Sequence, residues 1–374
     1  MVHKMRILVD GMPRTTGGIG SLIMSIADCA GELAKTRNWK FDFIIQGRSG
    51  YLEEIKRKGY GFYIAPPIHD VFRYRKFVAS VFEKNGYDYL WFNNSSKVNI
   101  YLPEYAKSKG VSIIAHPHGV DIEEKGIKRL IFKVLNKANS HKMFSLVDIP
   151  FACSEEAADA YYKGSTELRK KTVVLRNGIK VERYGFNSEK RNLLRKRLGL
   201  SDNDYLLGAV GRLTSVKNYT FLIDVMRLLE EKFKLIILGE GEDKQLLQDR
   251  ILEQGLAKRI SLLGKVDDVQ DYLFAMDCFL MPSLHEGFPF SIIEAQCAGL
   301  PCIISDTLSR EIQITDLVTF VELQKSKWKE KIENTERGNN RSSYQNKMLE
   351  SPYNILNTLN CFHEVLTEHD TKCN

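Results

Sequence analysis

The chain has little of what would place it in a membrane or in an oxidising compartment. No apolar run approaches the roughly 20 residues that a membrane-spanning helix needs. The first residues, "MVHKMRILVDGMP", lack the longer apolar core and small-residue cleavage site of a secretory signal. The seven cysteines are odd in number, scattered, and form no C-x-x-C pair. We therefore expect reduced thiols in a cytoplasmic protein.

The sequence also lacks a dinucleotide-binding fingerprint. Gly17, Gly18 and Gly20 follow the first apolar run, but Ile23 stands where G-x-G-x-x-G requires its third glycine. The next apolar run ends in Gln46 instead of the acidic residue that binds a ribose in such sites. This disfavours a nucleotide-dependent dehydrogenase or epimerase. Glycines at a helix start still let a phosphate approach free N–H groups, although a turn there needs no ligand.

Positive charge is concentrated in the first half of the chain. The net charge is +7 over 374 residues. Residues 1–186 hold 30 Lys and Arg against 19 Asp and Glu, a net +11, and the remainder holds 24 against 28, a net −4. The positive charge of residues 1–186 could lie on an ordinary solvated surface, or it could form a surface for an acidic partner such as a phosphate or an anionic membrane.

Short β-branched runs alternate with helical patterns along the whole chain, which is typical of parallel sheets with helical crossovers. The predicted strands cover residues 5–11, 41–46, 87–92, 111–116, 149–154, 171–175, 205–211, 233–239, 259–264, 277–283, 301–305 and 317–322. The predicted fold class is α/β, with two Rossmann-like doubly wound parallel-sheet domains facing a cleft. We expect an N-terminal domain over 1–180, a C-terminal domain over 181–350, and a last helix over 351–374 that packs back on the N-terminal domain.

Two cations follow the predicted strand at 205–211. Arg212 lies at the strand end and Lys217 enters the next helix. Their spacing would let both side chains reach one diphosphate, which accumulates negative charge when it departs. Surface cations usually have no chemical role, so spacing alone does not decide this.

The segment "HEGFPFSIIE" carries Glu286 and Glu294 at its two ends. Ser291 and Glu294 have the spacing of a capping box, so Glu294 could simply satisfy backbone donors at a helix start. A pair of carboxylates could also flank a glycosidic bond, at a separation that the sequence does not fix. Alternatively, each could accept hydrogen bonds from sugar hydroxyls.

Two further patterns resemble metal sites. Asp202 and Asp204 form an Asp-x-Asp, but they precede a predicted strand and we interpret them as a turn. His116 and His118 lack a third ligand at matching spacing, so no metal site is predicted. The aromatic residues follow strand and helix periods and are expected in the core, which gives no support for nucleic-acid binding.

Taken in order, the motifs resemble the retaining family 4 glycosyltransferases of the B-type fold, and most closely the bacterial capsular and exopolysaccharide branch. The resemblance spans most of the chain. It rests on the Gly-Gly turn at 17–18, "HPHG" at 116–119, "ACSE" at 152–155, "LRNGI" at 175–179, "GRLTSVKN" at 211–218, "LGEGEDKQLL" at 238–247, "LLGKVDDV" at 262–269, Glu286 to Glu294, and "GLPCIISD" at 299–306.

The resemblance implies a role for each site residue. Arg212 and Lys217 would hold the donor's diphosphate together with Gly17 and Gly18, and Glu294 would bind the ribose. Glu286 would bind the donor sugar, helped by backbone amides at Gly287, Phe288 and Pro289. The base would lie near Lys265 and Val266. His118, or else His116, would lie near the reacting carbon and the acceptor. The family needs no metal or cofactor, because cations and helix dipoles neutralise the leaving group.

Two positions depart from the family pattern. Gly119 stands where Asn is frequent, and Lys180 stands where Asp is frequent. The first leaves the acceptor contacts open, and the second affects a turn between the two predicted domains.

The resemblance thus predicts a retaining glycosyltransferase at the inner face of a cell membrane. Its partners would be a UDP-linked nucleotide-sugar donor, a lipid-linked glycan acceptor and an anionic membrane surface. The alternative is a non-catalytic sugar-nucleotide-binding subunit of a polysaccharide assembly complex.

Overall fold

A computed structural model describes residues 5–13, 18–32, 39–47, 49–119, 126–286 and 289–373. The chain divides into two compact units, one formed by residues 1–178 with 355–374 and the other by residues 179–354. Each unit has its own hydrophobic core.

The N-terminal unit is a parallel sheet with helical crossovers. Its strands, among the described residues, are β1 (Met5–Asp10), β2 (Trp39–Gln46), β3 (Gly61–Ala65), β4 (Tyr89–Phe92), β5 (Ser112–Ala115), β6 (Ile149–Ala152) and β7 (Val173–Val174). Its helices are α1 (Gly18–Glu32), α2 (Leu52–Arg57), α3 (Val71–Glu83), α4 (Tyr101–Ser108), α5 (Gly126–Leu146), α6 (Glu155–Tyr161) and α7 (Thr166–Lys171). The strand order is β3-β2-β1-β4-β5-β6-β7. The order reverses between β1 and β4, and sheets of this kind bind ligands beyond the carboxyl ends of the strands at such a point.

Strand β3 is the one described strand that the sequence patterns do not predict. Its burial is incomplete, and Ile64 is 56% exposed. It lies at the sheet edge, where it pairs only with β2 among the described strands. An edge strand of this kind lacks the continuous apolar run by which buried parallel strands are recognised.

The C-terminal unit repeats the architecture. A short 3₁₀ turn at Val181–Tyr184 and α8 (Ser188–Arg197) precede the sheet. The strands are β8 (Tyr205–Val210), β9 (Phe233–Leu238), β10 (Ile260–Gly264), β11 (Cys278–Met281), β12 (Cys302–Ser305) and β13 (Val318–Val321). The helices are α9 (Tyr219–Met226), α10 (Lys244–Glu253), α11 (Val269–Ala275), α12 (Phe290–Cys297), α13 (Lys325–Glu333) and α14 (Ser343–Leu349). The strand order is β10-β9-β8-β11-β12-β13, with parallel pairing throughout the described strands.

The last helix, α15 (Ile355–Cys373), belongs to the N-terminal unit. Phe362 is fully buried, and its ring lies 4.9 Å from Trp91 of β4 and 5.5 Å from Phe151 of β6, centroid to centroid. Gly178 allows the chain to pass this helix closely, because a Cβ atom there would lie 2.4 Å from the Thr358 hydroxyl. No helix among the described residues is long and apolar enough to cross a bilayer.

Candidate active site

The carboxyl edge of the C-terminal sheet brings together three loops that are distant in sequence. They follow β9, β8 and β11, which are neighbours in the sheet. The backbones of two of them touch, because a Cβ atom at Gly239 would lie 1.9 Å from the carbonyl oxygen of Gly211. Gly241 is just as confined, since its Cβ would lie 2.2 Å from the Leu213 oxygen. The glycines of the "LGEGEDKQLL" segment therefore have a packing reason to be there.

The loop after β11 is fixed to the loop after β8 by two further contacts. The backbone N–H of Leu284 donates to the Val216 carbonyl oxygen at 2.9 Å, and Asn218 Nδ2 donates to the Pro282 oxygen at 3.2 Å. Asn218 itself is left-handed, with φ at 54°, a conformation that Asn tolerates better than most residues. These contacts place the side chain that precedes Asn218 directly against the loop carrying Glu286.

Lys217 and Glu286 form an ion pair at this edge. Lys217 Nζ lies 2.6 Å from Glu286 Oε1, and the two side chains are only 16% and 13% exposed. Beneath them lies the buried Tyr219, whose pKa is raised by burial and, second, by the negative charge of Glu286. A cation and a carboxylate that are this little exposed to solvent interact more strongly than a fully exposed ion pair at the surface. The sequence predicted that both residues serve one site, and the structure brings them together.

Arg212 lies on the same loop as Lys217 and is exposed. Its guanidinium makes no hydrogen bond or ion pair with any residue that the structure describes, and its backbone carbonyl oxygen accepts a hydrogen bond from Thr214 N–H at 3.0 Å. Its neighbour Leu213 anchors the loop by donating its N–H to the Glu240 carbonyl oxygen at 2.9 Å. The arrangement thus pairs one cation with a carboxylate and leaves a second cation for an incoming anion.

Glu294 does not form the capping box that its spacing allows. Helix α12 begins at Phe290 with Pro289 as its N-cap and no side-chain cap, so Ser291 lies inside the helix. Instead, Glu294 Oε1 accepts a hydrogen bond from the Tyr184 hydroxyl at 2.7 Å. Burial raises the pKa of Glu294, while that hydrogen bond opposes the shift. The capping interpretation is therefore wrong, and Tyr184 is a hydrogen-bond partner of Glu294 that the sequence patterns missed.

Pro289 also corrects one expected role. Proline carries no backbone N–H, so it cannot donate an amide hydrogen bond to a donor sugar. What it does in this structure is cap the start of α12. The other two residues of that predicted set, Gly287 and Phe288, lie outside the described residues, as does Gly17. Gly18 is the first residue of α1.

Lys265 and Val266 follow the edge strand β10 and line a cavity of about 360 Å³. Its other walls come from α8 and from the start of α11, including Leu194, Asp268 and Tyr272. The cavity carries charges of both signs. Lys265 and Val266 therefore lie beside a hollow, and one strand, β9, separates β10, which they follow, from β8, which Lys217 follows.

The N-terminal unit has its own polar cluster at the carboxyl ends of β1, β4 and β5. His118 Nε2 lies 2.9 Å from Asn93 Oδ1, and the backbone N–H of His118 donates to Ser95 Oγ at 3.0 Å. Burial lowers the pKa of His118 to about 3, so the ring is neutral at physiological pH. This cluster lies where the strand order reverses.

His116 occupies a different environment from His118. It is fully buried, and its Nδ1 accepts a hydrogen bond from Trp91 Nε1 at 3.3 Å. Its ring lies parallel to that of Trp91 at 6.0 Å and 4.1 Å from the ring of His118, centroid to centroid. His118 is partly exposed whereas His116 is fully buried, so of the two histidines His118 is the one with ring surface open to a ligand, although its Nδ1 atom is buried.

Asp10 is a second residue that sequence patterns missed. It ends β1, is 2% exposed, and its Oδ2 accepts a hydrogen bond from Asn94 Nδ2 at 2.7 Å. Burial raises its pKa to about 6, and Oδ1 has no partner among the described residues. An acidic residue ending the first buried strand, directly before a glycine, was the signal available in the sequence.

The Asp-x-Asp pattern is a turn, as predicted. Asp204 Oδ2 accepts hydrogen bonds from the backbone N–H and the hydroxyl of Ser201, both at 2.7 Å, immediately before β8. Among the described residues, no group of three or more His, Cys, Asp or Glu side chains could hold a metal ion.

Comparison with known proteins finds a similarity in the C-terminal unit. Residues 190–348 match the family model described as "Glycosyl transferases group 1". The matched segment, which is 159 of the 374 residues, is similar to group 1 glycosyltransferase domains. It contains the three packed loops, the Lys217–Glu286 pair and Glu294.

Two relatives and one solved structure extend this glycosyltransferase likeness beyond the domain. The chain is 26% identical over 341 residues to the putative glycosyltransferase EpsF of Bacillus subtilis, covering 87% of this chain and 85% of EpsF. It is 30% identical over 233 residues to the UDP-Gal:alpha-D-GlcNAc-diphosphoundecaprenol alpha-1,3-galactosyltransferase of Escherichia coli, covering 60% of this chain and 59% of that enzyme. The structure of HepE from Anabaena in complex with UDP and glucose superposes with a TM-score of 0.76 at 18% identity, over 97% of this chain and 100% of HepE. The predicted fold, two Rossmann-like parallel-sheet domains of the B type, is confirmed.

Proposed function

We propose that this chain is a retaining glycosyltransferase of bacterial surface-polysaccharide synthesis. It transfers a sugar from a UDP-linked donor to a hydroxyl group of a lipid-linked or oligosaccharide acceptor. The observation that carries the proposal is the Lys217–Glu286 pair beside the exposed Arg212 in a group 1 glycosyltransferase domain. The substrates named for the E. coli relative support the choice of donor and acceptor class.

The two cations and the carboxylate divide the donor between them. Arg212 and Lys217 bind the diphosphate, whose negative charge grows as the bond to the sugar breaks. Glu286 then accepts hydrogen bonds from hydroxyls of the sugar. Before the donor arrives, Glu286 and Lys217 neutralise each other at 2.6 Å, which spares both side chains an unpaired charge in a poorly hydrated place.

The remaining proposed contacts are to the ribose, the base, the phosphates and the sugar. Tyr184 holds the Glu294 carboxylate in one orientation, so that its free lone pairs can accept hydrogen bonds from the two ribose hydroxyls. Lys265 and Val266 take the base, and the start of α1 at Gly18 offers backbone N–H groups that suit a phosphate. Gly287 and Phe288 contribute backbone N–H groups for the sugar.

The reaction forms one bond and breaks one. The acceptor oxygen bonds to the anomeric carbon on the face that the diphosphate leaves, and the carbon–oxygen bond to the diphosphate breaks. The acceptor's proton passes to the departing diphosphate oxygen, so no protein base is required. His118 lies at the acceptor, where a neutral ring with a pKa near 3 can orient a hydroxyl but is a poor base.

The decisive experiment joins binding to turnover. UDP-, GDP- and ADP-sugars are first compared by thermal shift, because a ligand that binds only the folded state raises its melting temperature. Glu286→Ala is then assayed with the best donor, and Glu253→Gln, an exposed residue at the end of α10, is the matched control. We expect Glu286→Ala to lose at least 100-fold in turnover while it stays folded. Tight donor binding by the wild type without any turnover would favour the non-catalytic binding subunit instead.

We further propose that helix α5 places the enzyme on the cytoplasmic face of an anionic membrane. Its residues 126–146 include no acidic side chain and five Lys or Arg. Four large apolar side chains are exposed on it: Leu130 (65%), Ile131 (51%), Val134 (61%) and Leu135 (39%). The opposite face is attached to the unit through Asn139, whose Nδ2 donates to the Lys97 carbonyl oxygen at 2.8 Å.

This combination fits a lipid surface. Exposed apolar residues at positions i, i+1, i+4 and i+5 form one continuous stripe, and Lys133 and Lys137 are exposed beside it. An interfacial helix buries such a stripe among acyl chains while its cations attract anionic headgroups.

Liposome sedimentation tests this assignment. Leu130→Glu combined with Val134→Glu should reduce binding to vesicles containing anionic lipid at least ten-fold. The matched control, Leu246→Glu with Leu252→Glu, makes the same change at leucines that are 55% and 67% exposed in the C-terminal unit. Binding of the wild type should also fall as salt rises. Equal loss in both double variants, or binding by neither the wild type nor the control, would refute the membrane surface.

A further inference from the structure

The orientation of the Asn93 side chain is decided by two carbonyl groups. Asn93 follows β4, is 5% exposed, and its Nδ2 lies 3.2 Å from both the Asp10 and the Trp91 carbonyl oxygens. Carbonyl oxygens only accept hydrogen bonds, so the NH₂ group of the amide must point at them. The amide oxygen Oδ1 therefore points the other way, toward His118.

That oxygen in turn decides where His118 carries its proton. Asn93 Oδ1 lies 2.9 Å from His118 Nε2 and can only accept, so Nε2 must be the protonated nitrogen. Burial is the cause of the low pKa of His118, which keeps the ring neutral. Nδ1 must then carry a free lone pair, and no described residue donates to it although it is buried.

The neighbouring histidine shows what Nδ1 does when the protein uses it. In His116, the Nδ1 atom accepts the hydrogen bond of Trp91 Nε1, a group that can only donate. Both rings thus have the same neutral form, with the proton on Nε2. In His116 the protein supplies a donor to the accepting nitrogen, and in the partly buried His118 none of the described residues does.

We infer that Asn93 is a positioning residue, which holds His118 with its proton on Nε2 so that Nδ1 accepts a hydrogen bond from the acceptor's hydroxyl. The inference rests on the proposed function for the identity of that hydroxyl. It involves no proton transfer to the ring, because the acceptor's proton goes to the departing diphosphate. A carboxylate at position 93 would instead attract a second proton to the ring and remove the accepting lone pair.

Nitrogen NMR of histidine-labelled full-length protein tests the first half without any substrate. The wild type should show His118 with its proton on Nε2 and no titration between pH 7 and 9. This range avoids Asp10, whose pKa is about 6. In Asn93→Asp, His118 should be an imidazolium at pH 7 and lose that proton as the pH rises. A proton on Nδ1 in the wild type would overturn the inference at once.

Steady-state kinetics tests the second half. At pH 7, Asn93→Asp should lower kcat/KM for the acceptor at least ten-fold and change the Kd for UDP less than two-fold. Activity should return as the pH rises toward 9, whereas a merely structural defect would give no such recovery. Asn93→Ala should lower acceptor kcat/KM without the pH-dependent recovery. Asn203→Ala, in an exposed turn, is the control.

The failures can be told apart. If the wild type transfers sugar and Asn93→Asp keeps normal acceptor kinetics at pH 7, the role of Asn93 is refuted while the proposed function stands. If the wild type transfers sugar from no nucleotide donor, the proposed function and the acceptor role of His118 fail together.

Discussion

The two members of the Lys217–Glu286 pair should have different effects on UDP affinity: removal of Lys217 should weaken UDP binding, and removal of the Glu286 charge should not. With side chains 16% and 13% exposed, the pair lies between a surface ion pair, which is worth about 0–1 kcal/mol, and a buried one, whose disruption costs roughly 3–5 kcal/mol. Lys217→Ala leaves a carboxylate in poor solvent, and we expect it to lower the free energy of unfolding by about 2 kcal/mol.

The binding effects follow from the same geometry. Lys217→Ala removes a charge-assisted hydrogen bond to the diphosphate, worth about 1.5–3 kcal/mol, so the Kd for UDP should rise about 10- to 100-fold. Glu286→Gln removes the group that competes for Lys217, so UDP should bind equally well or about five-fold more tightly. The same variant should lose turnover with the intact sugar donor, because Glu286 holds hydroxyls of the donor sugar. UDP lacks that sugar, so its binding does not depend on these hydrogen bonds.

Calorimetric titration with UDP at low salt, together with urea unfolding, measures both quantities. Lys258→Ala, an exposed lysine ahead of β10, controls for the loss of one positive charge. The double variant Lys217→Ala/Glu286→Gln should be more stable than Lys217→Ala alone, because neither charge is left unpaired. Weaker UDP binding in Glu286→Gln, or strictly additive stabilities, would refute the reasoning.

Three further predictions concern other residues of the two units. Tyr184→Phe removes the 2.7 Å hydrogen bond to Glu294, so UDP affinity should fall several-fold while pyrophosphate affinity, measured by competition, stays unchanged. Burial raises the pKa of Asp10 from 3.8 to about 6, so the folded protein holds this proton more tightly than the unfolded chain does. The protonated carboxyl therefore adds to the free energy of unfolding at low pH, and this contribution is lost as the pH rises through 6. That loss amounts to about 3 kcal/mol, and Asp10→Asn should abolish it in urea unfolding at pH 4 and pH 8; an identical pH dependence in the variant would contradict the assignment. Gly239→Ala forces a Cβ to 1.9 Å from the Gly211 oxygen at φ +140°, so the variant should lose UDP binding, and wild-type affinity would show that the loops separate freely.

The order of elements could be predicted from the sequence because it depends on local patterns. Buried parallel strands leave continuous apolar runs, and crossover helices leave periodic ones. All predicted strands are present, whereas the half-exposed β3 left no such run. The loop glycines and the residue types at 212, 217, 286 and 294 were likewise visible as motifs.

Partners could not be predicted in the same way. The local pattern left several interpretations of Glu294 open. The structure excludes the capping box, because α12 begins at Phe290 and Glu294 accepts a hydrogen bond from Tyr184, 110 residues earlier in the chain. The role of Asn93 could not be predicted either. In the sequence it is one more polar residue after a strand, and only the structure shows that the carbonyl groups of Asp10 and Trp91 orient its side chain.

The sequence by itself therefore determined the fold class and the chemical groups of this protein, since both follow from residue type and spacing. The tertiary structure decided which groups meet. Lys217 and Glu286 are 69 residues apart, and they touch because β8 and β11 are neighbours in the sheet. Strand order is set by the packing of the whole unit, and no local pattern carries it.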